Sequence, residues 1–479
     1  MPAQQGWAGL PRPHRLGPAR RPVIGGCGMA GDLASGTVLR ALAAACPATR
    51  AAGGGDAVAG VTPRYAASPA SVTEASAVMR VADEQDLAVV ARGSGSRLDW
   101  GTPPRRCDLV VDTLLLDQVV EHAAGDLVAR VQAGVGLRRL GEVLAGAGQQ
   151  LALDAPPAGG SPGAQEPAST ATIGGTLATG TAGPRRLRYG TPRDLVIGIT
   201  VVRADGTVAS SGGKVVKNVA GYDLGKLFAG SYGTLGLIVE AVFRLHPLPS
   251  AAVYTTVDEP DPASAHRAVA AAAASELAPT AVEISRAGSH QPVRVGVLLE
   301  GDPAGVGERA AHLRELLGAG AVTSPDAPAW WGRAEPPNGA GGAGTLIRVA
   351  LWAAALPAVL AVIDNAAAAG GLDPLVAGSA AAGVIYVALG ADAGPAAVAA
   401  FVAALREALA RGEAGARAAP APPDGPPAPA SAVVVHAPPP VRDLVDLWGP
   451  VTGLPLMRAV KDQFDPGHRM APGRFVGGI

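Results

Sequence analysis

Arg92-Gly93-Ser94-Gly95-Ser96-Arg97-Leu98-Asp99-Trp100-Gly101 follows directly on the apolar run Leu-Ala-Val-Val-Ala at 87–91, which reads as a buried strand. Glycine and serine at 93–96 leave the main chain bare. Successive N–H groups can then face one point and form a nest suited to an anion such as a diphosphate. Arg92 and Arg97 flank the turn with positive charge. On this loop alone an ordinary Gly/Ser turn fits at least as well, so the reading depends on what else the chain offers.

Two further glycine-rich turns follow. Ala171-Thr172-Ile173-Gly174-Gly175-Thr176 lies in a stretch, 154–183, crowded with Gly, Pro, Ser and Thr. Irregular stretches of that length inside a domain are usually functional or disordered. Its small residues would let backbone approach a flat ring or phosphates, and Arg185, Arg186 and Arg188 could offset negative charge there. The third turn begins at Gly212-Gly213-Lys214 and passes through Lys217-Asn218 and Ala220-Gly221-Tyr222-Asp223. It ends in Gly230-Ser231-Tyr232-Gly233-Thr234-Leu235-Gly236, which feeds a strand at 237–245. Three such turns at strand edges in one domain point to an extended ligand held largely by backbone.

Other chemistries find little support. Basic and acidic residues nearly cancel, 39 against 40, so there is no cationic footprint for nucleic acid. Cys27, Cys46 and Cys107 are scattered and odd in number, which suggests neither a disulfide framework nor a metal site and fits a reducing compartment. Gly26-Cys27-Gly28-Met29-Ala30-Gly31 has dinucleotide-fold spacing but lacks the strand before it and the second strand after it. Gly213-Lys214 and Gly225-Lys226 are not followed by Ser or Thr, so neither is a P-loop. No His pair has zinc spacing, and no Gly-x-Ser-x-Gly elbow joins a strand to a helix. The longest uncharged apolar stretch, 349–363, is interrupted by Pro357 and is shorter than the roughly 20 residues of a membrane span. The expectation is a cytoplasmic protein without a transmembrane segment, any membrane association arising through partner subunits.

The chain divides by texture. Residues 1–57 lack sustained periodicity and read as a disordered tail or as sequence upstream of a true start at Met29. A first α/β domain spans 58–248. It contains a helix opened by the capping-box spacing Ser71-Val72-Thr73-Glu74, strands at 87–91, 109–111 and 127–133, a helix at 137–147, and a hairpin at 195–211. From 249 to 411, strands at 253–257, 281–285, 293–299, 345–351 and 384–389 alternate with Ala-rich helices at 262–277, 305–317, 357–369 and 396–411, a separate α+β unit. Residues 412–430 are almost wholly Ala and Pro and read as a linker. Residues 431–479, with a short helix at 456–464, form a closing segment. The fold class expected is α+β.

The assembled residues resemble the vanillyl-alcohol-oxidase/PCMH-type FAD-binding family. The 92–101 loop resembles its pyrophosphate loop, and 171–175 its second flavin-contacting turn. Residues 217–236 resemble the segment feeding its last flavin-contacting strand. Phe464-Asp465-Pro466 with Ala471-Pro472-Gly473-Arg474-Phe475 resembles its C-terminal return. Within that fold the 214–236 block looks most like the E subunit of glycolate oxidase. The resemblance implies a two-subdomain FAD-binding domain with an α+β cap, 431–479 returning to the FAD domain. The cofactor-binding residues it implies are Arg92, Gly93, Ser94, Gly95, Ser96, Arg97, Ala171, Thr172, Gly174 and Gly175, with Gly236 and Ile238 from the last strand.

Two departures shape the functional expectation. Covalent members carry a histidine near the pyrophosphate loop, some adding a cysteine, yet neither His nor Cys lies in 92–101 or 170–183, so FAD is expected to bind non-covalently. Catalytic 2-hydroxy-acid dehydrogenases of this fold carry a His-rich motif after the cap, where this chain has only His436 amid Ala and Pro. The resemblance therefore implies an FAD-binding subunit of a complex that oxidises glycolate or a related small 2-hydroxy acid. Its expected partners are a homologous FAD-containing catalytic subunit and an iron–sulfur subunit. A free-standing dehydrogenase with Tyr222, Lys217 or Tyr386 as base, and a non-catalytic flavin-stabilised scaffold, stay open. No catalytic residue is assigned.

Overall fold

A computed structural model of the chain describes residues 29–154, 171–213, 223–333, 344–412 and 430–479. The first sheet takes the order β1-β2-β4-β3, from β1 (Thr49–Ala51), β2 (Tyr65–Ala67), β3 (Val89–Arg92) and β4 (Leu109–Asp112). β3 and β2 both run parallel to β4, so each strand end at Arg92 and Asp112 emerges on the same edge. The helix between β2 and β3, α2 (Val72–Glu84), starts as its sequence predicts. Ser71 Oγ accepts the Glu74 N–H at 3.1 Å, and Glu74 Oε2 accepts the Ala70 N–H at 2.9 Å.

A second, antiparallel sheet takes the order β5-β6-β10-β8-β9, from β5 (Val119–Ala123), β6 (Val128–Gln132), β8 (Val196–Val202), β9 (Val208–Gly212) and β10 (Leu237–Arg244). The β8–β9 hairpin turns at Asp205-Gly206, where Gly206 takes φ +82 and Asp205 Oδ1 accepts the Thr207 N–H. A two-strand ladder, β7 (Gln149–Gln150) with β11 (His246–Pro247), closes one end. Two helices cover one face, α3 (Leu137–Ala145) and α4 (Ile173–Thr179), burying Leu140, Leu144, Ile173 and Leu177. Val202, Leu237 and Val239 of the second sheet share a core with Val89, Leu109 and Val111 of the first, so the two sheets form one domain.

The cap is a single eight-stranded antiparallel sheet, β15-β12-β14-β13-β17-β18-β16-β19. Its strands are β12 (Ala251–Glu259), β13 (Ala281–Arg286), β14 (Val293–Gly301), β15 (Val322–Ser324), β16 (Thr345–Ala350), β17 (Leu375–Ser379), β18 (Val384–Leu389) and β19 (Ser431–His436). Four helices cover one face: α8 (Pro262–Ala274), α9 (Pro303–Leu317), α10 (Leu356–Gly370) and α11 (Pro395–Ala410). Alternate residues such as Val295, Val297, Ile347, Val349, Ile385 and Val387 point into that helical core. Residues 353–370 are long and apolar enough to cross a membrane, but Leu356, Val359, Leu360 and Ile363 are fully buried in this core. The other sheet face turns toward the first domain. There Trp100 packs on Leu346, Ala388 and Val435, and the Tyr189 hydroxyl donates to Glu300 Oε2 at 3.0 Å.

The architecture corrects three sequence readings. Residues 29–57 are not a structureless tail: α1 (Met29–Ala45) packs Leu42, with Val38 and Leu39, against the first core, and β1 pairs with β2. Ala and Gly dominate this helix, so its apolar stripe is too thin to register as a period. Ser431–His436 belongs to the cap, paired along β16, rather than to the closing segment. The Ala/Pro run before it conceals that a cap strand is still to come. The 171–183 stretch contains α4, which its Gly- and Thr-rich composition disguises.

Candidate cofactor site

A cleft opens where β3 ends. Of the residues expected from sequence, Arg92, Gly93, Ser94, Gly95, Ser96, Arg97, Ala171, Thr172 and Gly175 line it together. Gly174, Gly236 and Ile238 are not among its lining residues. Gly174 packs just beyond the end of β6, where a β-carbon would come 2.8 Å from Ala133 Cβ; Gly236 lies against Val202 O and Phe228; Ile238 is buried in the domain core. The cleft also takes Thr176, Ala178 and Thr179 from α4, Tyr232 and Gly233 from the third turn, and Arg474 from the C-terminus. Residues 214–222 lie outside the described residues, and with them Lys214, Lys217 and Tyr222.

The first loop is built to expose main chain. Gly95 has φ +81, and a β-carbon there would meet nothing nearer than Arg92 Cδ at 3.9 Å, so it faces open space. The N–H groups of Ser94, Gly95 and Ser96 donate to no backbone carbonyl among the described residues. Gly93 is glycine for another reason: its missing β-carbon would lie 2.3 Å from Thr172 Oγ1. The two loops are thus pressed together as opposite walls of one cleft.

The second turn works differently from the sequence expectation. Its central amides are already used: Ile173 N–H donates to Val135 O at 2.9 Å, Gly174 N–H to Ala133 O at 2.8 Å, and Gly175 N–H to the cap Thr172 Oγ1 at 3.3 Å. What it presents is small-residue surface and hydroxyls. Thr176 Oγ1 is buried in the cleft wall and has no hydrogen-bond partner among the described residues. A buried hydroxyl without a partner costs about 1–3 kcal/mol, so it favours a polar ligand atom.

Charge at the cleft is also distributed unexpectedly. Arg92 donates to Asp112 Oδ2 at 2.9 Å and to Asp56 Oδ1 at 3.1 Å, so two carboxylates already offset it. Arg50 and Arg92 hold the Asp56 carboxyl well below the usual carboxylate range. The Arg97 guanidinium lies 4.9 Å from the Trp100 ring centroid. Arg185, Arg186 and Arg188 do not line the cleft. Arg185 binds Asp154 Oδ1 at 2.7 Å and Gln150 Oε1 at 2.6 Å, Arg186 bonds the carbonyls of Gly183 and Ala182, and Arg188 lies over Tyr189.

The C-terminus holds the site closed from behind. Arg474, 4% exposed, donates to Leu98 O at 2.8 Å and Trp100 O at 2.6 Å, fixing the far end of the first loop. Burial pulls its guanidinium down to about 10, and it still remains charged at neutral pH. On α13 (Leu454–Phe464), Lys461 is fully buried and donates to Thr234 O at 2.7 Å, Asp465 Oδ2 at 2.6 Å and Met470 O at 2.9 Å. One ammonium therefore joins the third turn to the C-terminal return. No local pattern in the sequence announces the reach of Arg474 to Leu98 and Trp100 or of Lys461 to Thr234, since those partners lie hundreds of residues away.

A bare-amide loop, a small-residue wall facing it and an unpartnered hydroxyl between them suit a dinucleotide. Residues 63–212 match the family model described as an FAD binding domain. The chain carries an FAD-binding domain. It is similar to glycolate oxidase subunit GlcD of Bacillus subtilis (strain 168), 37% identical over 210 residues, 41% of this chain and 42% of that protein. It is similar also to D-lactate dehydrogenase of Archaeoglobus fulgidus, 38% identical over 179 residues, 37% of this chain and 38% of that protein. The chain thus spans about two fifths of the length of the curated relatives it matches. In fold it follows p-cresol methylhydroxylase across 92% of this chain and 96% of that one, with TM-score 0.65 and 16% identity. The FAD-binding fold with an α+β cap is therefore shared well beyond recognisable sequence.

Proposed function

We propose that the chain is the FAD-carrying subunit of an oxidoreductase acting on a small 2-hydroxy acid, glycolate or a near relative, and that it corresponds to the E subunit of glycolate oxidase. The cap carries the supporting observation. Arg348 on β16 and Tyr386 on β18 are directly paired and sit on the sheet face opposite the helices. Both are electrostatic neighbours of Tyr232, which lines the cofactor cleft. Arg348 forms no ion pair among the described residues, so a substrate carboxylate is a natural counter-charge for it. Bound FAD supplies the hydride acceptor. This chain's task is to bind it through Ser94, Gly95, Ser96 and Thr176, keep water out with the cap, and orient a carboxylate toward Arg348.

The subunit reading rests on what the cleft lacks as well as what it has. No histidine is among its lining residues. In the subunit reading a homologous FAD-containing catalytic subunit is one partner and an iron–sulfur subunit another, in keeping with the three scattered cysteines of this chain, which offer no cluster ligands. A second reading, a free-standing dehydrogenase with Tyr386 as base, draws on the same Arg348–Tyr386 pair. Purification of the chain alone and with co-expressed partners, followed by anaerobic addition of glycolate and D-lactate, separates the two. Flavin bleaching only in the assembled complex supports the subunit; bleaching by the isolated chain supports the free-standing enzyme; no flavin in either preparation removes both. Acid precipitation should release the flavin to the supernatant, and flavin retained in the pellet would refute non-covalent binding.

A further inference from the structure

The histidine that ends the cap's last strand is held in an unusual way. His436 Nε2 lies 2.7 Å from Asp99 Oδ2, and Nδ1 lies 2.9 Å from Gly344 O. A carboxylate and a carbonyl are both acceptors, so both ring nitrogens must donate and the ring is an imidazolium. Its side chain is 14% exposed. Asp99 belongs to the first cofactor loop, between Leu98 and Trp100, the two residues whose carbonyls accept from Arg474. The same cap strand also meets this loop through backbone, Gly101 N–H donating to Val435 O at 3.2 Å.

The strand is shaped to make this contact. Leu346 pairs with His436 but Ile347 pairs with Val434, so the ladder slips by one residue at Val435. Regular alternation would have placed His436 with Val434 on the helical side of the sheet. The bulge turns it instead to the side where Asp99 lies. We propose that His436 is a positioning residue for the cofactor loop: its imidazolium locks Asp99, couples FAD binding to the seating of the cap's edge strand, and leaves the ring no free nitrogen for substrate. The proposal rests on the 92–101 loop being part of the FAD site.

The charged groups facing the pair are Arg442, on α12 (Pro439–Arg442), and Arg474 of the C-terminal return. The hydrogen bond to Asp99 outweighs burial and raises the His436 imidazolium above its ordinary value. Burial opposes ionisation of Asp99, but the bond and charge of His436, with Arg442, hold its carboxyl below its ordinary value. The signs fix a window. His436's contribution is complete below its unfolded value and is lost as pH rises through the raised folded one; Asp99's is lost only as pH falls through its lowered one. The readable limb is alkaline.

The test is FAD binding to the full chain after flavin removal, followed by flavin fluorescence from about pH 6 to about pH 9, a range bracketing a raised histidine. The wild-type dissociation constant should rise by about tenfold across that range, the loss of one charge-assisted bond. His436→Gln and Asp99→Asn should each bind more weakly at pH 6 and lose the alkaline slope, with thermal unfolding followed to show that both remain folded. A histidine that merely fills space would lower stability without changing the slope. A flat wild-type profile, or a His436→Gln profile that keeps the wild-type slope, overturns the latch. A folded wild-type chain that takes up no FAD at any pH overturns the cofactor site itself.

Discussion

Gly93 and Thr172, from two loops 79 positions apart, meet so closely that a β-carbon on Gly93 would stand 2.3 Å from the Thr172 hydroxyl oxygen. That hydroxyl cannot simply withdraw, because it caps α4 by accepting the Gly175 N–H. The cleft therefore depends on the absence of one methyl group. Gly93→Ala should destabilise the fold by about 1–3 kcal/mol through overpacking and lower flavin content. Thr172→Ala alone should cost about 1 kcal/mol as a lost cap. The double variant should be less destabilised than the sum of the two, as thermal unfolding of all four proteins would reveal.

Gly95→Val separates binding from folding. A β-carbon at 95 meets open cleft rather than protein, so packing is spared, although φ +81 adds local strain. FAD content of the purified chain should fall several-fold while far-ultraviolet circular dichroism stays unchanged. Full flavin occupancy would mean that ligand does not approach this backbone.

Lys461 and Asp465 form a pair with 1% and 0% side-chain exposure, four residues apart on one helix end. Asp465 also accepts the backbone N–H groups of Arg469 and Met470, so the carboxylate is committed whether or not the lysine is present. Lys461→Met leaves that charge buried without its cation and should cost about 3–5 kcal/mol. It should also loosen the Gly230 to Gly236 turn by removing the bond to Thr234 O. Limited proteolysis near the C-terminus, faster in the variant, would report that release.

The cap has its own pH sensitivity. Burial pushes the Glu283 carboxyl up to about 8, against the opposing hydrogen bond from the Ser379 hydroxyl. An acid that ionises freely when unfolded but stays protonated when folded makes the folded state lose stability as pH rises from its unfolded value toward 8. Glu283→Gln keeps the hydrogen bond and removes the titration. It should be more stable than wild type at pH 8, on the order of a few kcal/mol, and nearly equal at pH 5. Equal melting curves at both pH values would show that Glu283 is ionised in the folded protein.

The sequence disclosed the parts of the site that are local. A strand running into Gly93-Ser94-Gly95-Ser96, and a Gly/Thr turn at 171–176, carry their geometry in their own composition. It did not disclose the parts that are tertiary. Arg474 reaches Leu98 and Trp100 across more than 370 positions, Lys461 reaches Thr234 across more than 220, and neither stands out from other exposed-looking cations. Fold elements divide in the same way. The capped helix at Ser71 and the hairpin at Asp205-Gly206 follow from short-range chemistry. The Ala-rich α1, the Gly-rich α4 and the cap strand beyond the Ala/Pro run become visible only once their neighbours are in place. Arginine charge misled for a related reason: Arg92 and Arg185 are balanced by Asp56, Asp112 and Asp154, carboxylates that sequence proximity does not pair with them.

The most direct test is a crystal structure of the full chain saturated with FAD. The diphosphate should lie within hydrogen-bonding distance of the Ser94, Gly95 and Ser96 amides, with the Thr176 hydroxyl turned to the cofactor. A dinucleotide bound anywhere else, with no contact to either the 93–96 loop or α4, would contradict the account.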